Sequence, residues 1–145
     1  MLEFPFDTTR TIASLVFEGV VTRFPSIRWI FSHAGGALPY LAGRIEVLAK
    51  NNPKLAECIP QGFASMLRTM YFDCALSANH VHFKTLRELL PDTQLLLGTD
   101  YPYGPENQML GTVKALQVLG LPVSTLDALY RGNALDLFPR LRAKS

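Results

Sequence analysis

Apolar residues along the chain alternate between helical spacing and short continuous runs. Helical spacing predicts helices over residues 7–24, 38–50, 61–68, 81–90, 106–119 and 125–138. Short runs rich in aromatic, β-branched or leucine residues predict strands over residues 27–31, 70–75 and 94–98. Asp7, Thr8 and Thr9 are candidate N-caps for the first helix, and Ser124 is the candidate for the last.

The predicted helices and strands follow one another in strict alternation, with short loops and no low-complexity segment. This order is typical of parallel βαβ units. A complete TIM-type (β/α)₈ barrel takes about 250 residues, so three strand–helix units and a leading helix make a little under half of one. The pattern therefore predicts an α/β fold in one domain, residues 1–145, as either a partial barrel or a small open sheet.

Composition narrows the classes of function. The 145 residues are 48% hydrophobic, which suffices for one core, and the net charge of +2 is spread without a basic run. We therefore expect no nucleic-acid partner. The apolar stretches are shorter than the roughly 20 residues that cross a bilayer, and the N-terminus does not resemble a signal peptide, so we expect no membrane association and a cytoplasmic protein. Cys58 and Cys74 are far apart, which predicts two buried thiols rather than a disulfide or a thiolate metal site.

His33 directly follows the first predicted strand. Ligands and catalysis in parallel α/β folds lie at the carboxyl ends of strands, and Gly35 and Gly36 allow a tight turn beside the imidazole. His33 is therefore a candidate catalytic residue. The alternative is a structural histidine whose ring is held by a neighbouring carbonyl.

Asp100 follows the most apolar predicted strand and precedes Tyr101-Pro102. An unpaired carboxylate at the rim of an apolar sheet is costly, and a metal ion, a cationic neighbour or a helix N-terminus would compensate that cost. Of these, a metal ion best explains an acid near a histidine. The alternative is that Asp100 caps the following turn.

For Asp73, inside the second predicted strand, we expect a structural hydrogen-bonding role. His80-Val81-His82 forms an H-x-H pair, which on a strand would place both rings on one side, as in a metal site. It falls at a helix start, where histidines are commonly exposed, so the metal site is the less favoured alternative.

Several ordered motifs resemble those of the amidohydrolase-related family that includes aminocarboxymuconate semialdehyde decarboxylase and the salicylate- and dihydroxybenzoate-type decarboxylases. They run over nearly the whole chain: Arg23-Phe24-Pro25, His33-Ala34-Gly35-Gly36, Pro39, Gly43-Arg44, Gly98-Thr99-Asp100-Tyr101-Pro102, Gly132-Asn133-Ala134 and Leu137-Phe138. The resemblance implies a partial (β/α)₈ barrel that contains about strands 6 to 8. It also implies a metal-dependent decarboxylase of small aromatic or unsaturated carboxylic acids.

By this resemblance, Asp100 corresponds to the metal-ligating aspartate at the end of the eighth strand. His33 corresponds to the sixth-strand histidine, which handles protons beside the metal. A divalent ion, zinc or manganese, is implied for the full-length parent, where it acts as a Lewis acid on substrate oxygens. A histidine exchanges protons readily near neutral pH, which suits decarboxylation.

Two departures from the family pattern limit what this chain does alone. The first-strand H-x-H or E-x-H ligands and the fifth-strand histidine have no counterpart, so we expect weak metal binding or none. Gly36 also stands where some benzoate-type decarboxylases carry a glutamate. A metal-dependent hydrolase of a small cyclic ester, lactone or amide is therefore an alternative, as is an inactive assembly module. Open sheet edges predict self-association, most simply as a dimer.

Overall fold

The computed structural model describes residues 1–142, so the predicted domain 1–145 ends three residues beyond them. Three strands form a parallel sheet in the order β1-β2-β3: β1 is Ile30–Phe31, β2 is Tyr71–Asp73 and β3 is Leu95–Leu96. All three predicted strands are present, but each is shorter than its apolar run. Regular pairing extends only where neighbouring strands run side by side, and the chain diverges into loops on either side.

Helices surround this sheet along the chain. They are α1 (Glu3–Phe17), α2 (Val20–Arg23), α3 (Leu38–Lys50), α4 (Pro53–Cys58), α5 (Phe63–Leu67), α6 (His80–Leu89), α7 (Glu106–Gln117), α8 (Val123–Asp127) and α9 (Asn133–Leu137). Short 3₁₀ turns occupy His33–Gly35, Asp92–Gln94 and Pro139–Leu141, and a π-helical turn occupies Ala128–Gly132. Among the described residues, no helix has the length and apolar character needed to cross a membrane.

The N-cap predictions for the first and last helices were wrong. The first helix begins at Glu3, and Leu2 precedes it without a side-chain cap. Thr9 instead lies inside α1, where its hydroxyl donates to the Pro5 carbonyl at 2.8 Å and accepts from the Ala37 backbone N–H at 2.9 Å. It therefore joins α1 to the start of α3. The last helical segment begins at Val123, not after Ser124.

One helix break and one helix were not predicted. The left-handed Gly19, with φ of 67°, separates α1 from α2. The helix α4 was missed, although its start carries a recognisable signal. Asn52 accepts a hydrogen bond from the Lys54 N–H at 3.1 Å, and Pro53 is the first helical residue. Both residue types favour helix starts, so this signal was available in the sequence.

The C-terminal helical segment holds the outer side of β3. A π-helical turn interrupts it, and the Leu129 carbonyl accepts a hydrogen bond from the Leu97 N–H at 3.0 Å. The buried Asn133 side chain donates to the Asp92 carbonyl at 2.8 Å and to the Leu95 carbonyl at 2.7 Å. Asn133 thus fixes the entry of the chain into β3.

The core lies between the sheet and the helices, with the central strand at its middle. Phe72 of β2 is 2% exposed, and Ile12 of α1 and Phe63 of α5 are fully buried. The outer edge of β1 is less well covered than the core. Within residues 1–142 no strand pairs with it, and Ile30 of β1 is 43% exposed. The architecture is a short arc of parallel βα units, as in a partial barrel.

Replacing Asn133 with Ala is expected to lower the free energy of unfolding by about 2–4 kcal/mol, because two carbonyls lose their donor in a buried place. Denaturant unfolding of the variant beside the unchanged protein measures this. The matched control is Asn107→Ala, at an exposed position of α7, which should change stability by no more than about 0.5 kcal/mol. Equal effects of the two substitutions would contradict the anchoring role of Asn133.

Candidate active site

Strained backbone is concentrated at one end of the sheet. Within residues 1–142, the non-glycine residues with positive φ are His33, Ala34, Leu76 and Asp100, with φ between 53° and 64°. Each lies within four residues of the carboxyl end of β1, β2 or β3. Because the strands are parallel, their carboxyl ends lie side by side, and these loops meet at that one end of the sheet, called this edge below. Such strain gathers at functional sites, since it persists only where surrounding contacts hold it.

The His33 ring has one nitrogen engaged. Nδ1 lies 3.1 Å from the Ala75 carbonyl oxygen. A carbonyl only accepts hydrogen bonds, so Nδ1 carries the proton in this contact and Nε2 of the neutral ring keeps its lone pair. Within residues 1–142, Nε2 has no hydrogen-bond partner. A neighbouring carbonyl therefore holds the ring, as the structural alternative expected, and this contact leaves Nε2 unoccupied. The catalytic role of His33 stays a prediction.

A left-handed turn carries His33. His33, Ala34, Gly35 and Gly36 all have positive φ, and the Gly36 N–H donates to the His33 carbonyl at 2.8 Å. Gly36 has no substitute here, because a Cβ on it would lie 2.0 Å from the Pro5 carbonyl oxygen. The close approach of α1 to this turn thus explains the second glycine after the histidine.

Asp73 lies at the end of β2, beside His33. Its Oδ1 accepts hydrogen bonds from the His33 N–H at 2.9 Å and from the Ala75 N–H at 3.0 Å. Burial raises the pKa of Asp73 above its ordinary value, while the two N–H donors and the His33 charge oppose this and the Asp100 charge adds to it. The expected hydrogen-bonding role of Asp73 is confirmed. The structure adds that its carboxyl group is near enough to both candidate residues for their charges to act on it.

Gly98, after β3, completes the contact of the three strand ends. A Cβ at this glycine would lie 2.5 Å from the Asp73 Cγ. The Asp73 carboxyl group therefore packs directly against the backbone of the third strand's loop. In the sequence, Gly98 stands only at the end of the third predicted strand and in a motif, and nothing local indicates which side chain it faces.

The Asp100 side chain is half-buried and takes no part in the turn that follows. The turn is closed by its backbone carbonyl, which accepts from the Gly104 N–H at 2.7 Å, and Thr99 Oγ1 accepts from the Tyr101 N–H at 3.4 Å. Among residues 1–142, the Asp100 carboxylate has neither a hydrogen-bond nor an ion-pair partner. The Asp100 side chain therefore does not cap this turn, because other atoms close it. Its role as a metal ligand stays a prediction.

The donor set for a metal is incomplete in the described part of the chain, where no group of three or more His, Cys, Asp or Glu side chains is placed to hold an ion. His80 and His82 lie in the first turn of α6 and are exposed, with Asn79 capping the helix through the His82 N–H at 3.1 Å. Burial raises the pKa of the Cys74 thiol to about 11. Cys58 is half-buried, not buried as predicted.

Cavities do not by themselves indicate this edge. His33 forms one wall of a cavity of about 330 Å³ between α1 and β1, which neither Asp73 nor Asp100 lines. A larger cavity of about 650 Å³ lies at the opposite end of the sheet. It is lined by Trp29, Tyr71 and Gln94, each at the first residue of a strand or directly before it. In parallel α/β folds that end serves stability, so the placement of polar groups is the better guide to the site.

Comparison with known proteins decides the family. A family model described as amidohydrolase matches residues 4–140. The chain belongs to the amidohydrolase family. The resemblance read from the motifs is confirmed, and so is the partial-barrel fold. The numbering of the strands as sixth to eighth stays a prediction.

Among curated relatives, this amidohydrolase-family chain is similar to 6-methylsalicylic acid decarboxylase of Penicillium expansum, with 34% identity over 142 residues, 98% of this chain and 44% of the relative. It is also similar to 2-amino-3-carboxymuconate-6-semialdehyde decarboxylase of Dictyostelium discoideum, with 29% identity, over 91% of this chain and 36% of the relative. The chain thus spans less than half the length of the curated relatives it matches.

Solved structures match the fold over a similar share. An amidohydrolase II structure has a TM-score of 0.82 and 25% identity and covers 92% of this chain and 42% of its own. The 5-carboxyvanillate decarboxylase of Novosphingobium aromaticivorans, complexed with manganese and 4-hydroxy-3-methoxy-5-nitrobenzoic acid, has a TM-score of 0.78 and 17% identity, over 93% of this chain and 39% of its own. A divalent metal is therefore present in a protein of the same fold.

Gly36→Ala is expected to destabilise the protein by about 3 kcal/mol or more, because it adds a methyl group against the Pro5 carbonyl and strains a left-handed residue. Gly111→Ala is the matched control, since a Cβ at this α7 glycine meets nothing within 4 Å. It should raise stability by up to about 1 kcal/mol. Thermal unfolding of both variants measures the difference, and a neutral Gly36→Ala would disprove the close approach of α1.

Proposed function

We propose that the full-length protein is a divalent-metal-dependent, non-oxidative decarboxylase of a small aromatic or unsaturated carboxylic acid. One observation carries the proposal. His33, whose Nε2 has no hydrogen-bond partner among residues 1–142, and Asp100, whose carboxylate has no partner among them, both follow the carboxyl ends of strands in the same parallel sheet. The similarity to decarboxylases over almost the whole chain supports it. The cytoplasmic location and the dimer stay predictions.

The proposed chemical role of His33 follows from its free nitrogen. Decarboxylation replaces the carboxylate of the substrate by a proton, so the site needs a group that delivers a proton to carbon. When His33 is protonated, Nε2–H donates that proton to the carbon bearing the carboxylate. The bond between this carbon and the carboxylate then breaks, its electron pair returns to the unsaturated system and CO₂ leaves. Solvent restores the proton on Nε2.

The proposed role of Asp100 is to hold the metal. Its donor chemistry fits, because carboxylate oxygen is a common ligand of zinc and manganese and this carboxylate has no competing partner among the described residues. It supplies one ligand, and catalytic sites commonly use three or more. The remaining ligands would come from the rest of the full-length protein. A bound divalent ion acts there as a Lewis acid that fixes and polarises the oxygens of the substrate.

Replacement of the two residues is expected to separate their roles. In the full-length protein, Asp100→Ala should lower metal content and activity together, because a ligand is lost. His33→Ala should leave the metal bound and lower kcat by roughly 10²–10⁴-fold, the usual contribution of a positioned acid–base group. Metal analysis beside initial rates with 6-methylsalicylate and dihydroxybenzoates, following CO₂ release, measures both.

The matched controls for these substitutions are Asp127→Ala in α8 and His80→Ala in α6, both at exposed positions; both should retain metal and activity. Loss of metal in His33→Ala would make His33 a ligand and contradict its assigned role. Full activity of His33→Ala would make the histidine structural. Hydrolysis of lactones or cyclic amides by the unchanged protein, without CO₂ release from any acid, would replace the decarboxylase by the hydrolase alternative.

The 145-residue chain by itself is expected to bind zinc or manganese weakly or not at all, since Asp100 is one ligand and the described residues contain no group of three. Dialysis against a chelator, followed by equilibration with each ion and elemental analysis, measures the bound metal. Stoichiometric metal that survives the chelator would contradict the expectation, and His80 and His82 would then be the first residues to replace.

A further inference from the structure

We infer that Asp73 is a positioning residue that holds the His33 ring in the tautomer with a proton on Nδ1 and a lone pair on Nε2. The inference deepens the proposed function and rests on it for its kinetic consequence. Its structural part rests only on contacts of the described residues. The carboxyl group does not touch the reacting atoms in this scheme; it acts through His33.

One oxygen of Asp73 controls both partners of the imidazole hydrogen bond. Oδ1 accepts hydrogen bonds from the backbone N–H groups of His33 and Ala75. His33 provides the ring that donates in the imidazole hydrogen bond, and Ala75 provides the carbonyl that accepts it. The distance between His33 Nδ1 and the Ala75 oxygen, 3.1 Å, therefore depends on two bonds that end at the same atom. Which ring nitrogen is protonated is set by the bond that the other makes.

The backbone geometry at His33 makes this support necessary. A non-glycine residue with φ of 55° is unfavourable in isolation, and the following Ala34 shares the same left-handed conformation. The hydrogen bond from the His33 N–H to Asp73 holds the first of these strained residues. Without it, the turn is free to relax, and the ring then moves away from the Ala75 carbonyl.

The Asp73 carboxyl group is itself fixed from a third side. Gly98 leaves only backbone at the place where a side chain would meet Asp73, and a Cβ there would lie 2.7 Å from both Cβ and Oδ2 of the aspartate. Gly98→Ala is therefore a second way to displace the carboxyl group, and it leaves the charge of Asp73 intact. The two sites of substitution test one contact independently.

The expected results follow from which atoms each variant keeps. The Nδ1–H bond to the Ala75 carbonyl holds the ring in both of its protonation states. Asp73→Ala removes the acceptor oxygen that supports this bond, so both tautomers of the neutral ring should be populated. The displaced ring should also lower kcat by about 100-fold, the order expected for a misplaced catalytic group. Gly98→Ala should act in the same direction. Asp73→Asn keeps an acceptor oxygen without the charge, so it should retain the single tautomer and most of kcat. Gly111→Ala should change neither quantity.

Nitrogen-15 NMR of histidine-labelled full-length protein above the pH at which histidines are protonated identifies the tautomer, with the His33 signals assigned by their loss in His33→Gln. Persistence of the single tautomer in Asp73→Ala would overturn the inference. A mixture of tautomers in Asp73→Asn would also overturn it, because charge would then matter and not the acceptor oxygen. If Asp73→Ala does not fold, Gly98→Ala decides by the same criterion.

The tautomer and the reaction are separate readouts. Dependence of the tautomer on Asp73 in a protein that releases no CO₂ from any acid would leave the positioning role standing and remove the proposed function. Decarboxylation that continues at full rate in a folded Asp73→Ala variant, with the tautomer unchanged, would do the opposite. Failure of the proposed function and failure of the positioning role therefore give different experimental results.

Discussion

The carboxyl group of Asp73 is the contact on which the ends of all three strands depend. It sits at the end of the central strand, accepts N–H groups from the loop after β1 and from its own loop, and packs against the Gly98 backbone after β3. These bonds are partly buried, where a lost partner leaves unsatisfied donors. The parallel strands bring His33 and Asp100 to a common end of the sheet, and the Asp73 contact joins the loops that carry them.

The same contact explains how strained backbone persists. Left-handed non-glycine residues cost of order 1–3 kcal/mol each, against a total stability of about 5–15 kcal/mol for a typical domain. The turn at His33 and Ala34 is held by Asp73 on one side and by the approach of α1 to Gly36 on the other. A rigid sheet thus supports loops that carry the polar groups, the usual division between scaffold and site in α/β folds.

The chain is part of a larger architecture in its relatives, of which it spans less than half. Two features agree with this. The outer edge of β1 carries a half-exposed isoleucine, Ile30, and Asp100 is a carboxylate without a partner among residues 1–142. Closure of a barrel would pair the outer edge of β1 with another strand. Ligands from the remaining strands would join the Asp100 carboxylate around a metal. Under the proposed function, therefore, this chain contributes the proton-transferring group and one ligand.

The sequence by itself determined the order and type of nearly all elements and the family, and it singled out His33 and Asp100 as candidates, because apolar periodicity and residues that follow strands are local signals. It contained a local signal for α4 at Asn52 and Pro53 that was not used. Only the tertiary structure decided the free nitrogen of His33, the role of Gly98 and the unpartnered carboxylate of Asp100. Those features depend on atoms that are far apart along the chain. His33 and Asp73, for example, are 40 positions apart, and no local pattern encodes which side chains meet when parallel strands align.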